Sequence, residues 1–264
     1  MEDVSRETSS TGSVSRETSP PAAGLLFTPE RHVIAERFAQ LLATAGVDRG
    51  LIGPREAPRL WDRHLLNCAM LAEAIPADAT VADLGSGAGL PGLVLALVRP
   101  DLRITLVEPL ERRTVFLHEV VDALGVPEVA VVRGRAESLH GHRLFDVVTS
   151  RALAPLGRLL QWSMPLVAPE GVLLAMKGRS LEVEIEAAAD ELRHWGCAPP
   201  EILELGVEVA SSAGAGGTLS PTRAVRVAHA DPTRVAWPPT VDADARARRP
   251  RSSAKRSARR RHNG

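Results

Sequence analysis

An α/β fold with a mostly parallel, seven-stranded sheet is predicted by three features of the sequence. From Thr80 onward, short Val/Leu/Ile runs alternate with helical stretches, the pattern of strands buried on both faces and covered by helices. The first run passes into a glycine-rich turn at residues 85–89 that opens a helix. After Trp195 the rhythm changes to strand, Gly/Ser loop, strand, which closes the sheet with an antiparallel hairpin.

Residues 1–27 are rich in Ser, Thr, Glu, Arg, Pro and Gly, and the segment VSRETS at 4–9 recurs at 14–19. So little apolar content cannot repay ordering, which predicts a disordered tail. The segment has no apolar stretch of the secretory type, so a cytoplasmic protein is expected. Thr28-Pro29-Glu30 supplies a capping side chain, a proline at the first helical position and an acid in the first turn. Val33, Ile34, Phe38, Leu41, Leu42 and Ala45 then form one apolar stripe that ends at Gly46. A second helix over 58–75 carries Leu60, Trp61, Leu65 and Leu71. Together these make a helical cap over 28–78.

The main domain is predicted over 79–230. Strands are expected at 80–84, 102–107, 128–133, 145–149 and 171–176, with helices at 91–98, 111–124, 155–164 and 181–195. The hairpin pairs 201–209 with 222–228 around a loop at 211–221. Residues 231–264 form a second tail. From Arg246 onward it holds nine Arg or Lys and no acid, so the neutral whole conceals an excess of nine acids upstream. Such a tail suits contacts with RNA phosphates.

Composition removes other classes. The longest apolar run, Leu93 to Val98, falls far short of the ~20 residues of a membrane-spanning helix. Cys68 and Cys197 form no CxxC pair and no cluster with metal-ligand spacing, so neither a disulfide framework nor a bound metal is expected.

The chemistry concentrates in Val81-Ala82-Asp83-Leu84-Gly85-Ser86-Gly87-Ala88-Gly89. A dinucleotide site reads G-x-G-x-x-G and presents a helix N-terminus to pyrophosphate. Here Gly85, Gly87 and Gly89 are evenly spaced and Asp83 precedes them, which suits a ligand with a cationic amino-acid end better than a diphosphate. S-adenosyl-L-methionine is such a ligand. Glu108 ends the next strand, 19 residues beyond Gly89, where a carboxylate can accept from both ribose hydroxyls.

DLGSGAGLPG (83–92), LVEPLERR (106–113), RGRAE (133–137), TSRALAPL (149–156) and MKG (176–178) resemble the 16S ribosomal RNA guanine-N7 methyltransferases, also called glucose-inhibited division protein B. The resemblance runs from about Leu41 to Val227 and implies a Rossmann-like S-adenosylmethionine-dependent methyltransferase fold. It implies cofactor contacts at Gly85 and Leu90, ribose contacts at Glu108, an adenine region at Ala136 and Glu137, and Arg151 on the rim between cofactor and target base. It further implies that Arg135, Arg151 and Arg223 orient the RNA base and phosphates, and that the partner is 16S rRNA or the small ribosomal subunit particle; apart from the resemblance, a monomer is expected.

Guanine N7 is a lone-pair nucleophile whose methylation releases no proton, so a site without an obvious general base fits this chemistry. Thr149-Ser150-Arg151-Ala152 stands where amino-group methyltransferases carry an Asn/Asp-Pro-Pro-aromatic motif, and no Pro-Cys nucleophile occurs. Three other readings remain at this point: methylation of another RNA site or a small molecule, an RNA-associated factor that holds the cofactor without catalysis, and a nicotinamide oxidoreductase. Lys177, beside Gly178, suits a phosphate contact or a structural role. His64 and His118 read as helix-packing or surface residues.

Overall fold

The computed structural model describes residues 19–212 and 219–235. The first copy of the repeat, nearly all of the second, the centre of the Gly/Ser connection and the basic tail lie outside the described residues. The strands are β1 (Thr80–Leu84), β2 (Arg103–Glu108), β3 (Val129–Arg133), β4 (Phe145–Arg151), β5 (Val167–Met176), β6 (Glu201–Leu205) and β7 (Thr222–Ala228). They form one sheet in the order β3-β2-β1-β4-β5-β7-β6. The first five strands are parallel, and β7 runs antiparallel to both β5 and β6. The chain works outward from β1 to β3 and then returns to β4 on the other side of β1. The crevice for a ligand therefore opens at the carboxyl ends of β1 and β4, where strand order reverses.

Nine α-helices are described: α1 (Ala23–Leu26), α2 (Pro29–Leu41), α3 (Leu66–Met70), α4 (Gly92–Val98), α5 (Glu111–Leu124), α6 (Leu156–Ser163), α7 (Leu181–Ala187), α8 (Ala189–His194) and α9 (Val207–Ser212). Along β5, Val172 and Leu174 enter one core while Leu173 and Ala175 enter the other. The cap, α4 and α5 cover the first core, and α6 to α8 cover the second. Among the described residues no helix is long and apolar enough to cross a membrane.

Cap formation follows the sequence signals. Thr28 Oγ1 accepts from Arg31 N at the start of α2, and Arg31 ties the cap to the main domain through Glu128 at 3.0 Å. Phe38, Leu42, Trp61 and Leu65 are fully buried beneath it. Truncating either aromatic would cost about 3–5 kcal/mol.

Several predicted boundaries move: β5 begins at Val167 rather than 171 and β4 runs to Arg151 rather than 149. Order begins before Thr28, because Ala22, Ala23 and Phe27 bury themselves, with Phe27 edge-on to Trp61 at 6.2 Å. That short apolar run follows the mostly polar residues 1–21 and was counted with them. The helix expected at 58–75 is a succession of a 3-10 turn (Ala57–Arg59), a π-helical turn (Trp61–Leu65), α3 and a second 3-10 turn (Leu71–Ala74). The helix expected at 181–195 breaks at Ala188, which lets Leu181, Ala188 and Leu192 all reach the second core. The strand expected at 201–209 stops at Leu205, since Gly206 takes a φ of 73° and donates its N–H to Glu73 at 2.8 Å. A Cβ there would stand 2.3 Å from Met70, so the cap itself bends the chain into α9.

Candidate active site

The glycine turn leaves β1 with φ of 67° at Gly85, 57° at Gly87 and 92° at Gly89, a left-handed run closed to residues with a side chain except at a cost of about 1–3 kcal/mol each. Gly85 N donates to Val107 O at 2.8 Å, which sews the turn to β2. A Cβ on Gly87 would meet only Gly85 O at 3.8 Å and Arg113 Nη1 at 4.0 Å, so space for a ligand lies directly above that backbone.

Two buried carboxylates frame this space. Asp83 Oδ2 accepts from Gly92 N at 2.9 Å, at the start of α4, while Oδ1 has no hydrogen-bond partner among the described residues. Burial raises the Asp83 pKa from 3.8 to about 7, and the nearby Glu108 charge pushes the same way. A buried carboxylate with one oxygen unmatched fits a ligand that brings a cation. Glu108 accepts from Gly87 N and from Leu110 N, each at 3.0 Å, and Arg113 Nη1 lies 3.5 Å from Oε2. Its oxygens hold further lone pairs for ribose hydroxyls.

The other expected cofactor residues line the same end of the sheet with different exposure. The Leu90 side chain is 9% exposed and packs in the core, so it offers a ligand little beyond its backbone. Ala136 and the exposed Glu137 open a 3-10 turn after β3. That turn follows β3, the strand that pairs with β2 and its terminal Glu108. The residues fit S-adenosylmethionine in charge, in backbone access and in the order in which they meet it.

Beyond β1 the edge changes character. A cleft of about 810 Å³ opens over the ends of β4, β5 and β7. Its cations are Arg59, Arg63, Arg151, Lys177, Arg179 and Arg223. Most are held in internal contacts: Arg63 with Glu56 at 2.9 Å, Lys177 with Glu184 at 2.7 Å, and Arg223 with Glu182 at 2.6 Å. Among the described residues Arg59 and Arg179 make no ion pair. Lys177 Nζ also donates to Ala154 O at 2.7 Å, which gives this lysine a structural role under the 151–155 loop. That loop covers the glycine turn, with Leu153 Cδ1 2.5 Å from where a Gly85 Cβ would stand.

The three arginines singled out for RNA are thus not all brought together. Arg151 and Arg223 line one cleft, but Arg135 is exposed after β3, five strands away from β7, or about 24 Å across the sheet. Sequence reading missed His64 and Glu56. His64 Nδ1 stands 2.5 Å from Arg151 Nη2, and its Nε2 stands 3.1 Å from Glu56. The missed signal was the crowding of Glu56, Arg59, Arg63 and His64 on a segment read only as a packing helix. His118 is exposed on α5, as its sequence position suggested.

Comparison with known proteins shows the family. The family model GidB, rRNA small subunit methyltransferase G, matches residues 31–206. The chain is 62% identical over 237 residues to the ribosomal RNA small subunit methyltransferase G of Nocardioides sp., covering 90% of this chain and 88% of that one. It is 57% identical over 183 residues to the protein of the same name from Streptomyces coelicolor, covering 69% and 77%. Among solved structures, mitomycin 7-O-methyltransferase MmcR shares the fold at a TM-score of 0.51 and 18% identity, over 73% of this chain and 60% of that one. By its sequence over most of its length, the chain belongs to the family of rRNA small subunit methyltransferase G.

Proposed function

We propose that this protein transfers a methyl group from S-adenosylmethionine to N7 of a guanine in the decoding-region loop of 16S rRNA. The observation that carries the reading is the meeting of two half-sites at Arg151: buried carboxylates and open backbone on one side, a cation-lined cleft on the other. When bound, S-adenosylmethionine supplies an electrophilic methyl group on a sulfonium sulfur. Asp83 balances the charge of its amino-acid end, Glu108 and the Gly87 backbone hold the ribose, and Ala136 and Glu137 flank the adenine. Arg151 stands at the seam and donates to guanine O6, which steadies charge developing on the ring. No residue need remove a proton, so alignment of N7 is the main catalytic contribution of the chain.

The cleft volume alone would also admit a metabolite, since small-ligand pockets span roughly 300–1,000 Å³. Its six cations favour an acceptor with phosphates. We place the reaction in the cytoplasm, with Arg223 and the 246–264 tail engaging phosphates, Arg135 reaching RNA outside the cleft, and the protein acting as a monomer.

The test is incubation of the purified protein with labelled S-adenosylmethionine and small-subunit particles from cells lacking the gene, followed by mapping of alkali-labile 7-methylguanine. Label at one guanine of the decoding-region loop is expected. Label at another position would move the substrate assignment, and no label despite cofactor binding would remove it.

A further inference from the structure

A chain of contacts links the cap to the seam: Glu56 Oε2 to His64 Nε2 at 3.1 Å, then His64 Nδ1 to Arg151 Nη2 at 2.5 Å. A guanidinium only donates, so Nδ1 presents its lone pair. The ring is then neutral with its proton on Nε2, where Glu56 accepts it. Burial, followed by the Arg151 charge, holds the His64 pKa below the usual range, which keeps that form populated.

The backbone around His64 is built to the same end. Residues Trp61–Leu65 form a π-helical turn in which Leu66 N reaches back to Trp61 O, a wider turn frequent at functional sites. Arg63 O within it accepts a second Arg151 N–H at 3.2 Å, and Cys68 Sγ lies 3.5 Å from Nη1. Three of the five guanidinium donors are therefore committed to the cap, and two remain for an acceptor base.

We propose that His64 is a positioning residue, whose neutral Nε2–H form, oriented by Glu56, fixes the Arg151 guanidinium at the seam so that its free N–H groups face the acceptor base. The inference rests on the role given to Arg151 above. Without the imidazole, Arg151 keeps a carbonyl and a thiol contact but loses its one side-chain acceptor of full strength. Its long side chain then spreads over more rotamers. The cap thereby becomes part of the catalytic apparatus.

The experiment compares H64A, H64N, R151A and H64A/R151A for kcat on small-subunit particles, for S-adenosylmethionine Kd and for Tm. H64A is expected to lower kcat about ten- to hundredfold, the scale of a misplaced group, with the cofactor Kd changed less than about twofold, roughly a third of the 1.4 kcal/mol that a decade represents. Asn places a carbonyl oxygen near the position of Nδ1, so H64N recovers part of the loss. The double variant is expected to be no slower than R151A, because His64 acts through Arg151. Losses that multiply in the double variant, or an unchanged kcat in H64A, would overturn the proposal. Nitrogen NMR of histidine-labelled protein supplies a second readout independent of turnover: a proton on Nδ1 of His64 overturns the coupling. If the tautomer is as stated and R151A retains full kcat, the role of Arg151 itself falls, and the positioning role falls with it.

Discussion

Over β1 and β2 the paired polar groups of the sheet edge find their partners within a short stretch of chain, and Asp83 Oδ1 is left unmatched. Asp83 binds Gly92, Glu108 binds Gly87 and Leu110, and every partner lies within 21 residues in sequence. Over β4, β5 and β7 the lining comes from the cap, the β4–α6 loop, the turn after β5 and the start of β7. There the internal pairs are ionic and half-exposed, such as Arg63 with Glu56 and Arg223 with Glu182. The contrast teaches how one edge serves two ligands. In the reading proposed above, a small cofactor of constant shape is met by carboxylates that the N–H groups of Gly87, Gly92 and Leu110 already hold in place, at little reorganisation cost. In the same reading a polyanion is met by side chains that exchange one acid partner for another, which costs little because exposed ion pairs contribute only about 0–1 kcal/mol.

The sharpest break in that comparison should come from Glu108. E108A leaves the N–H groups of Gly87 and Leu110 without an acceptor, a loss of about 1–3 kcal/mol, and lets the glycine turn drift. S-adenosylmethionine Kd measured by calorimetry is expected to rise at least about tenfold, equivalent to 1.4 kcal/mol, while RNA binding by filter assay stays near the wild-type value. An equal loss in RNA binding would show that the halves are not separable.

Asp83 offers a second test, through pH. Its folded pKa of about 7 lies above its ordinary 3.8, so ionising it costs stability progressively as pH rises through that interval. A cationic ligand favours the ionised form, and below pH 7 a proton must leave for it to bind. Cofactor affinity is therefore expected to strengthen up to pH 7 and level off above it, with D83N abolishing the slope. D83N should also gain more in Tm over wild type at pH 8 than at pH 5, as thermal scans at both pH values would reveal. A cofactor Kd that is flat from pH 5 to 8 in the wild type would refute the charge-balancing role.

The smallest effect is expected on the acceptor side. Besides Arg151, which the cap holds, Arg59 and Arg179 are the cleft cations without an ion pair among the described residues, and each should meet one phosphate. R59A/R179A is expected to lower the slope of log affinity against log salt by about 0.7 for each phosphate of single-stranded RNA that is no longer neutralised, leaving cofactor Kd unchanged. A slope equal to that of R37A, an exposed α2 arginine outside the cleft, would assign both residues to the general surface.

The glycine turn and its two carboxylates were legible in the sequence because each part is local: strand, glycine turn and helix follow one another, and Glu108 ends the next strand. Hydrophobic runs likewise revealed the alternating strands and helices, since burial on both faces demands them. Legibility stopped where distant segments meet. The short run that ends at Phe27 gained its burial only when Trp61, from a later segment, came to cover it, and Lys177 acquired its structural role only when Glu184 and Ala154 arrived beside it.

What the sequence alone determined is the fold class and the glycine turn with a carboxylate on each of the two strands beside it, because short-range periodicity and motif spacing encode them. Tertiary structure alone decided that Arg151 and Arg223 share a cleft while Arg135 does not, and that His64 faces Arg151 across 87 residues of chain. Strand order set the first outcome and the docking of the cap on the sheet set the second. Neither is a property of neighbours in sequence: both follow from which buried surfaces find one another when the core closes.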